Sequence, residues 1–92
     1  MIKSFRHKGL KLLYENDDRS KVSVEQVKRL KLILSVLDVI ETIADMDQPT
    51  FRLHRLKGDL SEFWGVTVRA NWRILFRFVD GHVYDIDLRD YH

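Results

Sequence analysis

A chain of 92 residues with 45% apolar and 11% aromatic content has room for one domain with a modest core, in globular rather than disordered proportions. It has no cysteine, which excludes disulfides, thiolate metal sites and cysteine nucleophiles together and suits a reducing cytoplasm. The net charge is only +2, and no run is apolar for long enough to cross a bilayer, so no membrane partner is expected.

The opening MIKSF reads as a short strand anchored by Ile2 and Phe5. Residues 7–14 make a predicted first helix, with Leu10, Leu13 and Tyr14 on one side. The polar cluster ENDDRSKVS then reads as a connection. Ser23, with Gln26 three residues on, resembles a capping box and opens a second helix predicted over residues 24–44. Val27, Leu30, Leu34, Leu37 and Ile40 recur at three- and four-residue steps, and Ile33, Val36 and Ile43 widen the stripe. Such a helix would be roughly 30 Å long. A stripe that wide must cover something, and a sheet is the obvious surface.

Pro49 ends the helical region. Period-two segments follow at residues 51–54, 63–68, 72–79 and 83–88. In the third, Trp72, Ile74, Phe76 and Phe78 share an apolar face while Arg73, Leu75 and Arg77 alternate with them. Asp80-Gly81 signals a hairpin, and Arg69-Ala70-Asn71 lies at another. Trp64, Trp72, Phe76 and Phe78 are read as core rather than as platforms for bases. The order predicts a single α+β domain over residues 1–92. A short N-terminal strand and two helices pack on one face of a mostly antiparallel, four- to five-stranded sheet, leaving the other face uncovered.

Charge is segregated along this plan. Residues 51–77 carry Arg52, Arg55, Lys57, Arg69, Arg73 and Arg77 against only Asp59 and Glu62. Residues 38–47 hold Asp38, Glu41, Asp45 and Asp47 with no basic residue, and the C-terminal stretch is acidic apart from Arg89. The pattern suggests a local positive field facing a polyanion, with plain solvated strand faces as the ordinary alternative.

Gly-rich phosphate loops and paired-histidine metal spacings are absent, and the serines lie in no nucleophile-elbow context. What remains is basic and aromatic: His54, Arg55, Lys57, Arg69, Asn71, Arg73, Asp90, Tyr91 and His92. Arginine forks pair with phosphate oxygens, and histidine or tyrosine rings stack on unpaired bases. RNA needs no metal or cofactor to be cut, because its 2′-hydroxyl attacks the adjacent phosphate. That reaction asks for a base, an acid and cations around the phosphorus.

These residues carry a resemblance. MIKSFRHKGLKLL, FRLHRLKGD, WGVTVRANWRI and the terminal DYH resemble, over nearly the whole length, the pattern of HigB toxins of the RelE superfamily. The resemblance implies a toxin of a type II toxin–antitoxin module that cleaves messenger RNA in the ribosomal A site. Its implied partners are the ribosome, the message and a HigA-type helix-turn-helix antitoxin, with operator DNA met only through that antitoxin. It also implies that His54, Lys57, Arg69, Asn71, Arg73, Asp90, Tyr91 and His92 line a basic concave surface. Arg55, between His54 and Lys57, is an added charge. The alternative class is a non-catalytic inhibitor such as a ParE-like toxin of DNA gyrase, since one fold hosts several functions. A weaker third reading is an RNA-binding module without toxicity.

The roles follow from side-chain chemistry. Arg73 is the first choice for stabilising charge on the scissile phosphate. Arg69 either does the same or holds the hairpin through carbonyls. Asn71 serves a turn or contacts a base. Lys57 neutralises phosphate, protonates the leaving group or is a plain loop lysine, and His54 stacks, transfers a proton or is a plain surface histidine. Tyr91 stacks under a nucleotide, His92 exchanges a proton, and Asp90 orients a neighbour. Arg55 contacts RNA.

Overall fold

His7 turns an extended opening into the first helix, its Nδ1 accepting the Leu10 N–H at 3.1 Å. In this computed structural model, residues 1–90 are described. Helix α1 (Lys8–Asn16) stops where Asp17 adopts a left-handed φ of 53°, its N–H reaching the Leu13 carbonyl (3.1 Å) while that of Asp18 reaches Leu12 (3.2 Å). Helix α2 (Val27–Leu37) buries Val27, Leu30, Ile33, Leu34 and Leu37, the stripe read from spacing.

α2 is shorter than the predicted 24–44, and two local competitions explain it. At the start, the Gln26 N–H bonds the Ser23 carbonyl at 3.0 Å, which makes residues 23–26 a turn, and no side chain caps α2. The expected capping box at Ser23 does not form. At the far end, the Asp45 carboxylate accepts from the N–H groups of Glu41 (2.9 Å) and Thr42 (3.1 Å). These amides are thereby taken from any continuing helix, and the chain enters a short 3₁₀ turn at Ile43–Met46. The same bonds hold the Asp45 carboxyl below its ordinary range. Ile40 and Met46 remain buried, so the apolar pattern outlives the helix.

The sheet has four strands in sequence order, β1 (His54–Arg55), β2 (Trp64–Arg69), β3 (Trp72–Val79) and β4 (His82–Asp90), all antiparallel. Residues 51–53 do not belong to β1 as predicted. The Phe51 N–H bonds the Gln48 carbonyl, and Arg52 has a φ of 50°, outside the range of a regular, unbulged strand. The opening segment joins the far edge as two parallel bridges, Ile2 to Val83 and Phe5 to Ile86. Hairpins fall where the sequence placed them. Asp80 and Gly81 both have positive φ, the twist-matched turn, while Ala70 takes φ 50° at the β2–β3 turn.

One face of the sheet, with Val66, Ile74, Phe76, Val83 and Ile86, meets the helices to form the main core. Arg29 ties the layers together, donating to the carbonyls of Thr50 (2.6 Å) and Thr67 (3.2 Å) with its guanidinium over the Phe51 ring. Two expectations need correction. Trp72 is not core: it is 36% exposed beside the hairpin, where it lines an open cleft at the end of the sheet. The second face is not bare either, because Leu56 and Phe63, with Leu60 against them, pack on Leu75.

On the helical side, the Tyr14 hydroxyl donates to Asp38 at 2.7 Å, and this bond, followed by desolvation and the carboxylate's charge, pushes its pKa to about 12. The shift is upward, so the bond stabilises the fold fully below the unfolded value near 10 and is lost as pH rises through about 12. Spectrophotometric titration should show Tyr14 ionising late, and returning toward the ordinary value in Asp38→Asn.

Candidate active site

Strand register decides which polar groups meet on the second face. His54 pairs with Gly65, Gly65 with Leu75, and Leu75 with Asp87, a row across all four strands. The next row on that face is Thr67, Arg73 and Arg89. Adjacent strands are about 4.8 Å apart, so Arg73 and Arg89 stand side by side while His54 rises from the edge strand. A break in register after Thr67 then sets Arg69 opposite Trp72, which itself pairs with Asp90.

The His54 ring has a definite orientation. Its Nδ1 lies 3.0 Å from the Arg52 carbonyl oxygen, which only accepts, so Nδ1 carries the proton. In the neutral ring the lone pair is then at Nε2, the atom free to take a proton. His54, Arg55, Leu56 and Lys57 line a shallow groove of about 190 Å³. Lys57 is exposed and extended just before the Gly58–Leu60 turn, where Gly58 has φ 66°.

Arg73 lies on the second face. Its Nη1 donates to the carbonyls of Ala70 (2.6 Å) and Trp72 (3.2 Å), which braces the hairpin and leaves its other donors available. Among the described residues it has no carboxylate partner, whereas Arg89 is neutralised by Asp87 at 3.1 Å. An uncompensated guanidinium flanked by a second arginine is a ready site for a phosphate.

The structure does not bring the whole predicted set together. Arg69 ion-pairs with Glu25, just before α2, which draws it toward the helical layer. Arg55 donates to the Ser61 carbonyl at 2.7 Å and stacks its guanidinium 5.0 Å above the Trp64 ring, so it pins the loop over the second face. Asn71 is exposed in the β2–β3 turn, and Asp90 is exposed at the end of β4. Tyr91 and His92 lie outside the described residues. Sequence reasoning missed Arg89 and Gly65. Alternation along β4 (Ile86 and Leu88 inward, Asp87 and Arg89 outward) was a usable signal for the first. Nothing in the sequence marked the second. Among the described residues no three histidine or acidic side chains converge as a metal site.

Known proteins bear on this arrangement. Residues 3–92 match the family described as RelE-like toxin of type II toxin-antitoxin system HigB. The chain is 46% identical to Endoribonuclease HigB of Proteus vulgaris, with all of both chains covered. It is 29% identical to Toxin HigB-1 of Vibrio cholerae over 88% of this chain and 87% of that one. The fold is shared with YafQ of E. coli (TM-score 0.64, 14% identity, 96% and 89% covered). It is also shared with a chain of the YoeB-YefM complex from Staphylococcus aureus (TM-score 0.63, 17% identity, 100% and 95% covered). A full-length family match and this identity, on a RelE-like architecture, place the chain in the HigB-like family of RelE-like toxins of type II toxin–antitoxin systems.

Proposed function

We propose that this protein is an endoribonuclease toxin that cleaves messenger RNA on the ribosome. The observation that carries the reading is one sheet face bearing both a histidine with its lone pair at Nε2 and an arginine that has no carboxylate partner among the described residues. The 2′-hydroxyl of the message attacks the neighbouring phosphorus, giving its proton to His54 Nε2. Arg73, with Lys57, stabilises the charge gathering on the phosphate oxygens. The bond from phosphorus to the 5′-oxygen breaks, and that oxygen takes a proton to leave as a hydroxyl beside a 2′,3′-cyclic phosphate. His92 or Lys57 supplies that proton, Tyr91 stacks on a nucleotide and Asp90 orients a neighbour. Asn71 borders this path, while Arg69 and Arg55, held by Glu25 and by Ser61 and Trp64, contact RNA only beyond it.

His54 and Arg73 are two strands and one row apart, roughly 12 Å between their backbones by standard strand spacing. A flexible message bridging them at the right angle is a rare conformer, and the ribosome supplies that conformer by holding the codon. Orientation of this kind is worth several kcal/mol. The protein works in the cytoplasm and is held inactive by a HigA-type helix-turn-helix antitoxin, through which alone it meets operator DNA. Support for an antitoxin partner comes from the family's description and from the fold relative solved as a YoeB-YefM complex. Incubating the purified chain with naked message and with programmed ribosomes is the test. Cutting is expected on ribosomes at least about a hundredfold faster, in keeping with an orientation effect. Equal rates would end the ribosome requirement, and no cutting in either would favour a non-catalytic inhibitor.

A further inference from the structure

We infer that Gly65 is a positioning residue for His54: it leaves vacant the space in which the imidazole lies, with the ring held by the Arg52 carbonyl so that Nε2 faces the substrate. This rests on the nuclease reading above and names the device that sets the geometry of its base.

Gly65 has no conformational need to be glycine. Gly58 and Gly81 sit at positive φ, where a side chain would be strained, but Gly65 does not. It lies inside β2, a position where glycine ordinarily weakens a strand. Its value is therefore the missing side chain. A Cβ built there would come 3.1 Å from His54 Cε1 and 3.2 Å from Nε2, with Leu56 Cδ2 at 3.4 Å. The edge of the ring that carries Nε2 thus lies over the backbone of β2, directed inward from the edge strand across the face that bears Arg73.

The ring must give by a few tenths of an ångström to admit that Cβ, and its bond to Arg52 opposes the shift. Nδ1 is tied at 3.0 Å to the Arg52 carbonyl, which a left-handed residue (φ 50°) turns back toward it two positions along the chain. A methyl group on residue 65 pushes the imidazole outward by a few tenths of an ångström. His54 is exposed, so the ring has solvent to swing into. As the bond to the carbonyl is stretched, the Nδ1–H tautomer loses part of its stabilisation. The fold should tolerate this, because alanine lowers the entropy of the unfolded chain relative to glycine and nothing in the backbone opposes it.

The test is Gly65→Ala, with three readouts on the full chain. Long-range proton–nitrogen spectra of the imidazoles, with His54→Gln to assign the signal, are expected to show His54 as the Nδ1–H tautomer in wild type and a loss of that preference in the variant. Cleavage of ribosome-bound message is expected to fall roughly tenfold to a hundredfold, the scale of a misplaced catalytic group. The thermal midpoint is expected to stay level or rise. A wild-type His54 protonated at Nε2 instead would overturn the inference whatever the variant does. So would a variant whose tautomer and cleavage are unchanged, or one whose activity falls only in step with its thermal midpoint. The tautomer is read without substrate, so failure of the nuclease reading and failure of this inference appear in separate measurements.

Discussion

His54→Gln is expected to lower cleavage of ribosome-bound message by about 10²–10⁴-fold, the usual contribution of a positioned proton acceptor. Glutamine keeps much of the ring's reach and polarity, so contacts that merely hold the message survive, whereas an amide takes up no proton near neutral pH. The side chain is exposed and outside both apolar clusters, which leaves the thermal midpoint nearly unchanged. Single-turnover cleavage beside thermal unfolding separates the two. A variant that cuts within a few-fold of wild type would show that His54 binds or stacks and that another group accepts the proton.

The second large effect is at Arg73. Replacing it with alanine is expected to cost about 10²–10³-fold in the cleavage step, the scale of removing one preorganised donor from a developing anion. Arg73 also braces the β2–β3 turn through the Ala70 and Trp72 carbonyls, so part of the loss could be structural. The two contributions come apart on magnitude. Exposed hydrogen bonds to carbonyls are worth about 1 kcal/mol each to the fold, and that loss is read as a lower thermal midpoint. Arg73→Lys sharpens the comparison: it restores a positive charge but not the fork that grips two oxygens at once. Cleavage should recover only partly in the lysine variant, even where its stability matches wild type. A fall in activity that simply follows unfolding in both variants would assign Arg73 to the hairpin alone.

The candidate site was legible in unequal parts. His54, Lys57 and Arg73 stand on or beside the second face. Arg69 and Arg55 are the same residue type in the same basic stretch, yet one is drawn to Glu25 and the other to Ser61 and Trp64. Composition cannot sort these arginines, because the partners that claim them are distant in the chain. Arg69 and Glu25 are separated by 44 positions. The clash that makes Gly65 matter is likewise a contact between two strands.

The sequence by itself determined the local and periodic features: the apolar stripe of α2, the alternation in β3, the turn at Asp80-Gly81, and a basic segment between two acidic ones. Each is set by residues a few positions apart, where spacing and backbone preference act directly. Tertiary structure alone decided where α2 stops, that Trp72 lines a cleft instead of the core, and that a loop covers part of the second face. It also decided that Arg69 and Arg89 are paired with carboxylates. Those outcomes depend on which groups distant in the chain compete for the same hydrogen bond, charge or space, and only the folded chain brings the competitors together.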